Sequence, residues 1–270
     1  MSRRLLLLVL LDIMTIAAAT PLVVQRQRAR TDESSLMQRD KIMRLTTLRG
    51  GQMDDDDDGE EELQQLTYEQ VIKKLNDVPT FAVMSEDGGF IGLSPKEGGR
   101  AICFFTQPEE AQAILQMTQE SAGDDAKLKL TCIGLGTALQ LCNGDDPEAK
   151  KAFAAFDGVL KLQGHHQLVE ETEPKLTEML ATAGIDGKGW TFPVFLCEEL
   201  TSQAALPVFL NPREIKTIWE KAGRPEEELP SKYVILDLRM LVADMQQKRG
   251  VPWDKVRLIG PEGAAELANE

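Results

Sequence analysis

The side chains that could carry chemistry are few and poorly grouped. His165 and His166 are the only histidines. An adjacent pair cannot share a helix face, where paired metal ligands sit four residues apart, so in this polar stretch they read as surface imidazoles. Cys103, Cys132, Cys142 and Cys197 form no CxxC pair and no zinc-ligand spacing. Cys103 and Cys132 lie in apolar, strand-like runs and read as buried thiols. Cys142 and Cys197 have less apolar surroundings, which leaves a disulfide open in an oxidising compartment. No GxSxG elbow is present. GLGTAL at 134–139 lacks the third glycine and the βαβ setting of a dinucleotide loop, and LRGG at 48–51 reads as linker. DDDDDGEEE at 54–62 lacks the alternation of a calcium loop and reads as a solvated, self-repelling linker. Glu198, Glu199 and Asp237 could run acid–base chemistry only at a suitable separation. Adjacent acids at a strand end are more simply a solvated corner. The expectation is therefore no catalytic residue, no cofactor and no metal, with an enzyme built on those scattered acids as the alternative from another class.

Charge divides the chain into addresses and a body. Residues 1–50 hold nine Lys or Arg against four acids, a net of +5, whereas the remainder holds 21 basic and 40 acidic residues, a net of −19. So acidic a body repels phosphate backbones and excludes nucleic acid as a natural partner. Residues 1–20 have the layout of a signal peptide: Arg3 and Arg4, the apolar run Leu5–Leu11, then Ala17, Ala18, Ala19 and Thr20 as the cleavage region. Asp12 shortens the apolar run below a bilayer span. Residues 21–50, with Arg26, Arg28, Arg30, Arg39, Arg44 and Arg49 among Ser and Thr, resemble a transit peptide. Two successive addresses point to a plastid reached through the secretory route, with a soluble secretory protein as the alternative. Residues 51–65 form the acidic linker.

From residue 66 the pattern is that of a packed domain. LTYEQVIKKLNDV carries the spacing of an amphipathic helix, Val78–Met84 reads as a strand led by Pro79, and EDGG at 86–89 as a hairpin turn before a return strand at 90–93. Ala101–Phe105 is a third strand, and TQPEE at 106–110 opens a helix with a polar cap, an early proline and two acids. Much of this recurs. Phe105-Thr-Gln-Pro-Glu-Glu-Ala-Gln-Ala-Ile114 lies against Phe209-Leu-Asn-Pro-Arg-Glu-Ile-Lys-Thr-Ile218 at a constant offset of 104. Pro79 and Phe81 answer to Pro193 and Phe195, and Ile133-Gly-Leu135 to Leu236-Asp-Leu238. The spacing predicts an α+β fold: one two-lobed domain over 66–245 made by an internal duplication, with three strands plus helices per repeat and pseudo-twofold symmetry. The repeats occupy about 66–142 and 190–245. A connector at 143–189 carries helical stretches at 147–157 and 171–183, and 246–270 is a C-terminal extension.

The words VPTFAV (78–83), CFFTQPEEAQAIL (103–115), FPVFLC (192–197), LPVFLNPREIKTIW (206–219) and VILDLRMLV (234–242) resemble the Tic-twenty-two-like family, the soluble intermembrane-space subunit of the chloroplast inner-envelope protein translocon. The resemblance covers roughly 66–245. It implies a non-enzymatic import factor in an envelope intermembrane space, peripheral to the membrane, with precursor proteins and translocon subunits as partners and a chaperone-like role. The alternative is an assembly factor or structural module bound to one resident plastid complex. The leader gives the first expected outcome: residues 1–50 fused to a reporter carry it to a plastid. Secretion to the medium, seen by microscopy, leaves only the first address.

Overall fold

The computed structural model describes residues 65–94, 99–123, 126–202, 204–247 and 251–269. The expected signal cleavage region, the transit-like segment and the acidic run to residue 62 lie outside these. The chain begins with helix α1 (Tyr68–Leu75), whose Thr67–Gln70 capping box satisfies two end N–H groups, and whose Val71, Ile72 and Leu75 face inward. Strands β1 (Pro79–Ser85) and β2 (Arg100–Phe105), helix α2 (Pro108–Ala122), strand β3 (Leu128–Gly134) and helix α3 (Leu135–Asn143) follow. Then come α4 (Pro147–Ala152), β4 (Gly158–Gln163), α5 (His166–Thr182), β5 (Pro193–Leu196), β6 (Leu206–Phe209) and α6 (Pro212–Lys221). The order ends with β7 (Val234–Asp237), α7 (Leu238–Met245), β8 (Val256–Ile259) and α8 (Ala264–Leu267).

These strands form two four-stranded sheets, β3-β1-β2-β4 and β7-β5-β6-β8. In each, the first three strands are antiparallel and the last joins in parallel. The expectation of three strands per lobe is thus corrected to four. The fourth strands come from the segments read as connector and C-terminal extension. Both lie at a sheet edge, where a short GVLKLQ or VRLI with lysine or arginine is stable but prints only a weak apolar signal. The return strand expected at 90–93 is reduced to isolated bridges at Phe90 and Leu93. Helix α5 begins five residues before the expected 171, because Pro174 lies inside the helix rather than in its first turn.

Strand residues divide by parity, since successive side chains point to opposite faces. Ala82, Ile102, Phe104 and Leu162 of the first sheet join Val194, Leu196, Val208 and Leu236 of the second in one shared core, closed by α1, α3, α5 and α7. Phe81, Ala101, Cys103 and Phe105 face the other way, under α2 and α8. Phe195, Cys197 and Phe209 do likewise on the second sheet, under α6. Burial on both faces explains why these strands read as unbroken apolar runs rather than alternating ones. Phe81 pairs with Phe105 in the first sheet, as Phe195 does with Phe209 in the second.

Each lobe also solves the same problem at the strand-to-helix corner. Leu135 donates its N–H to Val78 O at 2.8 Å, and Leu238 to Phe192 O at 2.9 Å. The helix that follows needs its free N–H groups satisfied. Asp237 does this for α7, accepting from Arg239 N at 2.9 Å, while Asn76 reaches from the end of α1 to accept from Thr137 N at 2.9 Å. That reach requires bare backbone: a Cβ on Gly134 would meet Asn76 Oδ1 at 2.4 Å, and one on Gly136 would meet Ile72 O at 2.3 Å. The GLG of 134–136 is a close-packing device, not a phosphate loop.

Asp237 is wholly buried and Arg239 is 5% exposed. Arg239 Nε and Nη2 pair with the carboxylate at 2.9 and 3.1 Å, and Nη1 and Nη2 also donate to Gly187 O at 2.7 Å and Trp190 O at 2.6 Å. Its guanidinium stacks 4.0 Å over the Trp190 ring. Arg239→Ala leaves a buried carboxylate unpaired, and urea unfolding should show a loss of about 3–5 kcal/mol. Arg239→Lys should recover little of it, because an ammonium cannot supply the planar fork. Phe209→Ala, at a fully buried position, should cost about 3–5 kcal/mol by the same measurement.

Candidate functional site

On the outer face of the first sheet, α2 lies over β1 and β3 and leaves the β2–β4 half partly uncovered. A cavity of about 430 Å³ opens there. Ala101, Cys103 and Phe105 from β2 and Ile114 and Met117 from α2 line it with apolar surface, and Glu110, Lys161, Gln163 and His166 supply its polar edge. The matching face of the second sheet is covered differently: Trp219, with Leu168, Leu229 and Tyr233, packs against Phe195 and Phe209. Trp219 stands 104 residues after Leu115, so a bulkier side chain takes that place in the second lobe.

Glu110 joins the cavity to the frame. Its carboxylate accepts the His166 N–H at 2.8 Å, closing the first turn of α5 from a different helix. At the equivalent place in the second lobe, 104 residues on, Glu214 accepts the Glu262 N–H at 3.2 Å. The strand ends beside them repeat as well, with Thr106 N–H donating to Gln163 O at 3.0 Å and Leu210 N–H to Ile259 O at 3.1 Å. Between the lobes, Asn211 Nδ2 approaches Gln107 Oε1 at 3.5 Å, so two side chains at matching positions meet each other.

Burial pushes the Glu110 carboxyl up to about 7, with the Glu109 charge adding to the rise and the His166 N–H opposing it. Burial likewise lowers both imidazoles, with the Arg213 guanidinium further lowering His165, while Glu170 opposes the shift at His166. The histidines are therefore half-buried neutral groups at the start of α5, not the surface imidazoles expected; the positive end of that helix also disfavours their cations.

The remaining expectations divide. Cys103, Cys142 and Cys197 are buried, but Cys132 is exposed, contrary to expectation, on β3 at the edge of the first sheet. All four are free thiols, and burial raises Cys197 to about 11, helped by its contact with Glu199. Asp237 pairs with Pro193 at the start of β5, whereas Glu198 and Glu199 follow its end. At about 3.3 Å per strand residue the acids lie on the order of 15 Å apart, and Asp237 is consumed by Arg239. Among the described residues no group of three His, Cys, Asp or Glu side chains is placed to hold a metal ion, and no helix is long and apolar enough to cross a membrane. An apolar groove was expected of the fold, but its lining residues were not; the one local sign was Glu110, an acid present in both FxxPxE words.

Because the folded-state value of Glu110 lies above the ordinary carboxyl value, its contribution to stability is full below pH 4.5 and is lost as pH rises through about 7. The urea midpoint of the wild type should therefore fall relative to Glu110→Gln between pH 5 and pH 8, since the amide keeps an acceptor for His166 and cannot ionise. Parallel pH profiles for the two proteins are the contrary result.

A family model, that of the Tic22-like family, matches residues 51–268. A search of curated protein sequences found no match. Among solved structures, Tic22 from Anabaena, described as a protein of protein transport, aligns with a TM-score of 0.49 and 16% identity, over 76% of this chain and 97% of that one. Tic22 from Plasmodium falciparum aligns with a TM-score of 0.48 and 17% identity, over 73% of this chain and 94% of that one. With four fifths of its length matched by the family model, this chain belongs to the Tic22-like family.

Proposed function

We propose that this protein is a non-enzymatic factor of plastid protein import that holds precursor proteins transiently in an envelope intermembrane space. The observation that carries the reading is the coincidence of membership in the Tic22-like family with an open, largely apolar cavity on an acidic body. An extended precursor that is basic and partly apolar needs two things from a carrier: apolar surface left accessible, and a field of opposite sign. The cavity between α2 and the β2–β4 edge offers the first, and the net charge of −19 over residues 51–270 offers the second. Translocon subunits are its expected fixed partners, with contact at the membrane surface rather than within it.

The rest of the chain takes its role from this reading. Residues 1–20 and 21–50 act as successive addresses, and 51–65 is the acidic linker between them and the body. The body descends from a duplicated unit, which accounts for the equal sheet orders and the repeated Glu110 and Glu214 contacts. The first lobe has kept its outer face open, while Trp219 fills the second.

A carrier must release its cargo, so binding should be weak and its association rate should fall with added salt, as steering is screened over a Debye length of about 8–10 Å. The check is binding of the full chain to several unrelated unfolded precursors at low and high salt. Ile114→Asp and Met117→Asp, which place charge on the cavity wall, should each reduce binding at least about tenfold while leaving the fold intact by circular dichroism. Binding of a single resident protein and no other supports the assembly-factor reading instead.

A further inference from the structure

Beside the apolar cavity lies a second, of about 240 Å³, and the two share Lys161, Gln163 and His166 as their common wall. The second is different in kind. Glu170 and Glu173, one helical turn apart on α5, line it together with Trp190 and Thr191. Trp190 and Thr191 are each 5% exposed, and the indole N–H and the hydroxyl find no hydrogen-bond partner among the described residues. The charges lining this second cavity are those of Glu170 and Glu173 against Lys161, with His166 held toward its neutral form by burial. Glu170 also lies 3.8 Å from His166 Nε2 in the dividing wall, so the acidic side is fixed to the partition itself.

We infer that the two cavities are adjacent subsites for one extended peptide segment, the first taking an apolar side chain and the second a lysine or arginine placed two residues away. The spacing follows from adjacency, since the same Lys161, Gln163 and His166 line both cavities: in an extended chain, side chains on one face recur every second residue, about 6.8 Å apart. The choice of occupant follows from charge, because a cation is attracted by two carboxylates on α5 while its aliphatic stem lies against Trp190. The inference rests on the proposed precursor-binding role and narrows it to a short pattern, apolar-x-basic. Selection of that kind differs from general apolar affinity, since it discriminates among segments of equal hydrophobicity.

The test uses the full chain and fluorescent ten-residue peptides of identical composition, one carrying Leu-Ser-Arg and one with leucine and arginine moved to opposite ends, beside unfolded precursor proteins. The Leu-Ser-Arg peptide should bind about fivefold more tightly than its rearranged counterpart at low salt. The E170Q/E173Q double variant should erase that preference, so that the two peptides bind equally. Equal binding of both peptides, or a preference that survives E170Q/E173Q, overturns the paired-subsite inference and leaves precursor binding standing. So does binding of whole precursors with no binding of either peptide. Failure to bind any precursor or peptide overturns both.

Discussion

The pair of Asp237 and Arg239 is the constraint on which the second lobe depends. Removing both charges from water is costly, and the cost is offset only because every strong contact is made. The carboxylate takes the guanidinium, the Phe192 N–H and the Arg239 N–H, while the guanidinium closes the carbonyls of the loop that leads from α5 into β5. Lys188, within that loop, is the only described non-glycine residue with a positive φ, at 51°. Such a backbone is unfavourable outside glycine, and the bonds to Asp186 O and Gly187 O hold it. The two side chains together thus fix where β5 begins, how α7 is capped and how the loop between α5 and β5 is held.

The first lobe reaches the same geometry with other chemistry. Asn76 caps α3 from outside, and glycines stand where the second lobe has Asp237 and Arg239. The trade is a steric one, bare backbone against a neighbouring amide, and it avoids burying charge. Two solutions to one corner leave the strands on either side free to keep the same register.

Much of this frame was legible in the sequence. The apolar words at 78–83, 101–105, 192–197 and 206–209 mark central strands because burial on both faces removes alternation, and proline at the head of α2 and α6 marks the helix starts. What stayed illegible has a common physical cause: it depends on residues brought together across long separations. GVLKLQ reads as polar connector until β2 is beside it. Glu110 looks like an ordinary first-turn acid until His166 presents an N–H 56 residues later. Asp237 looks like a solvated corner until Phe192, 45 residues earlier, presents its N–H and Arg239 reaches the carbonyls of the 186–190 loop. The place of the cavity was illegible for the same reason, since it is defined by where α2 does not lie.

The path of the chain has one more consequence. After β4 the chain crosses to pack α5 on the second sheet, after β8 it returns to place α8 on the first, and α1 of the first lobe touches β8 of the second, with Lys74 donating to Asp254 O at 2.7 Å. Each lobe is therefore completed by segments that belong, in chain order, to the other. Neither half can open alone without stripping the partner of a covering helix, so the whole body behaves as one cooperative unit rather than two stacked foldons. For the proposed carrier role, that cooperativity keeps the core closed to cargo, so that only the open cavities would meet it.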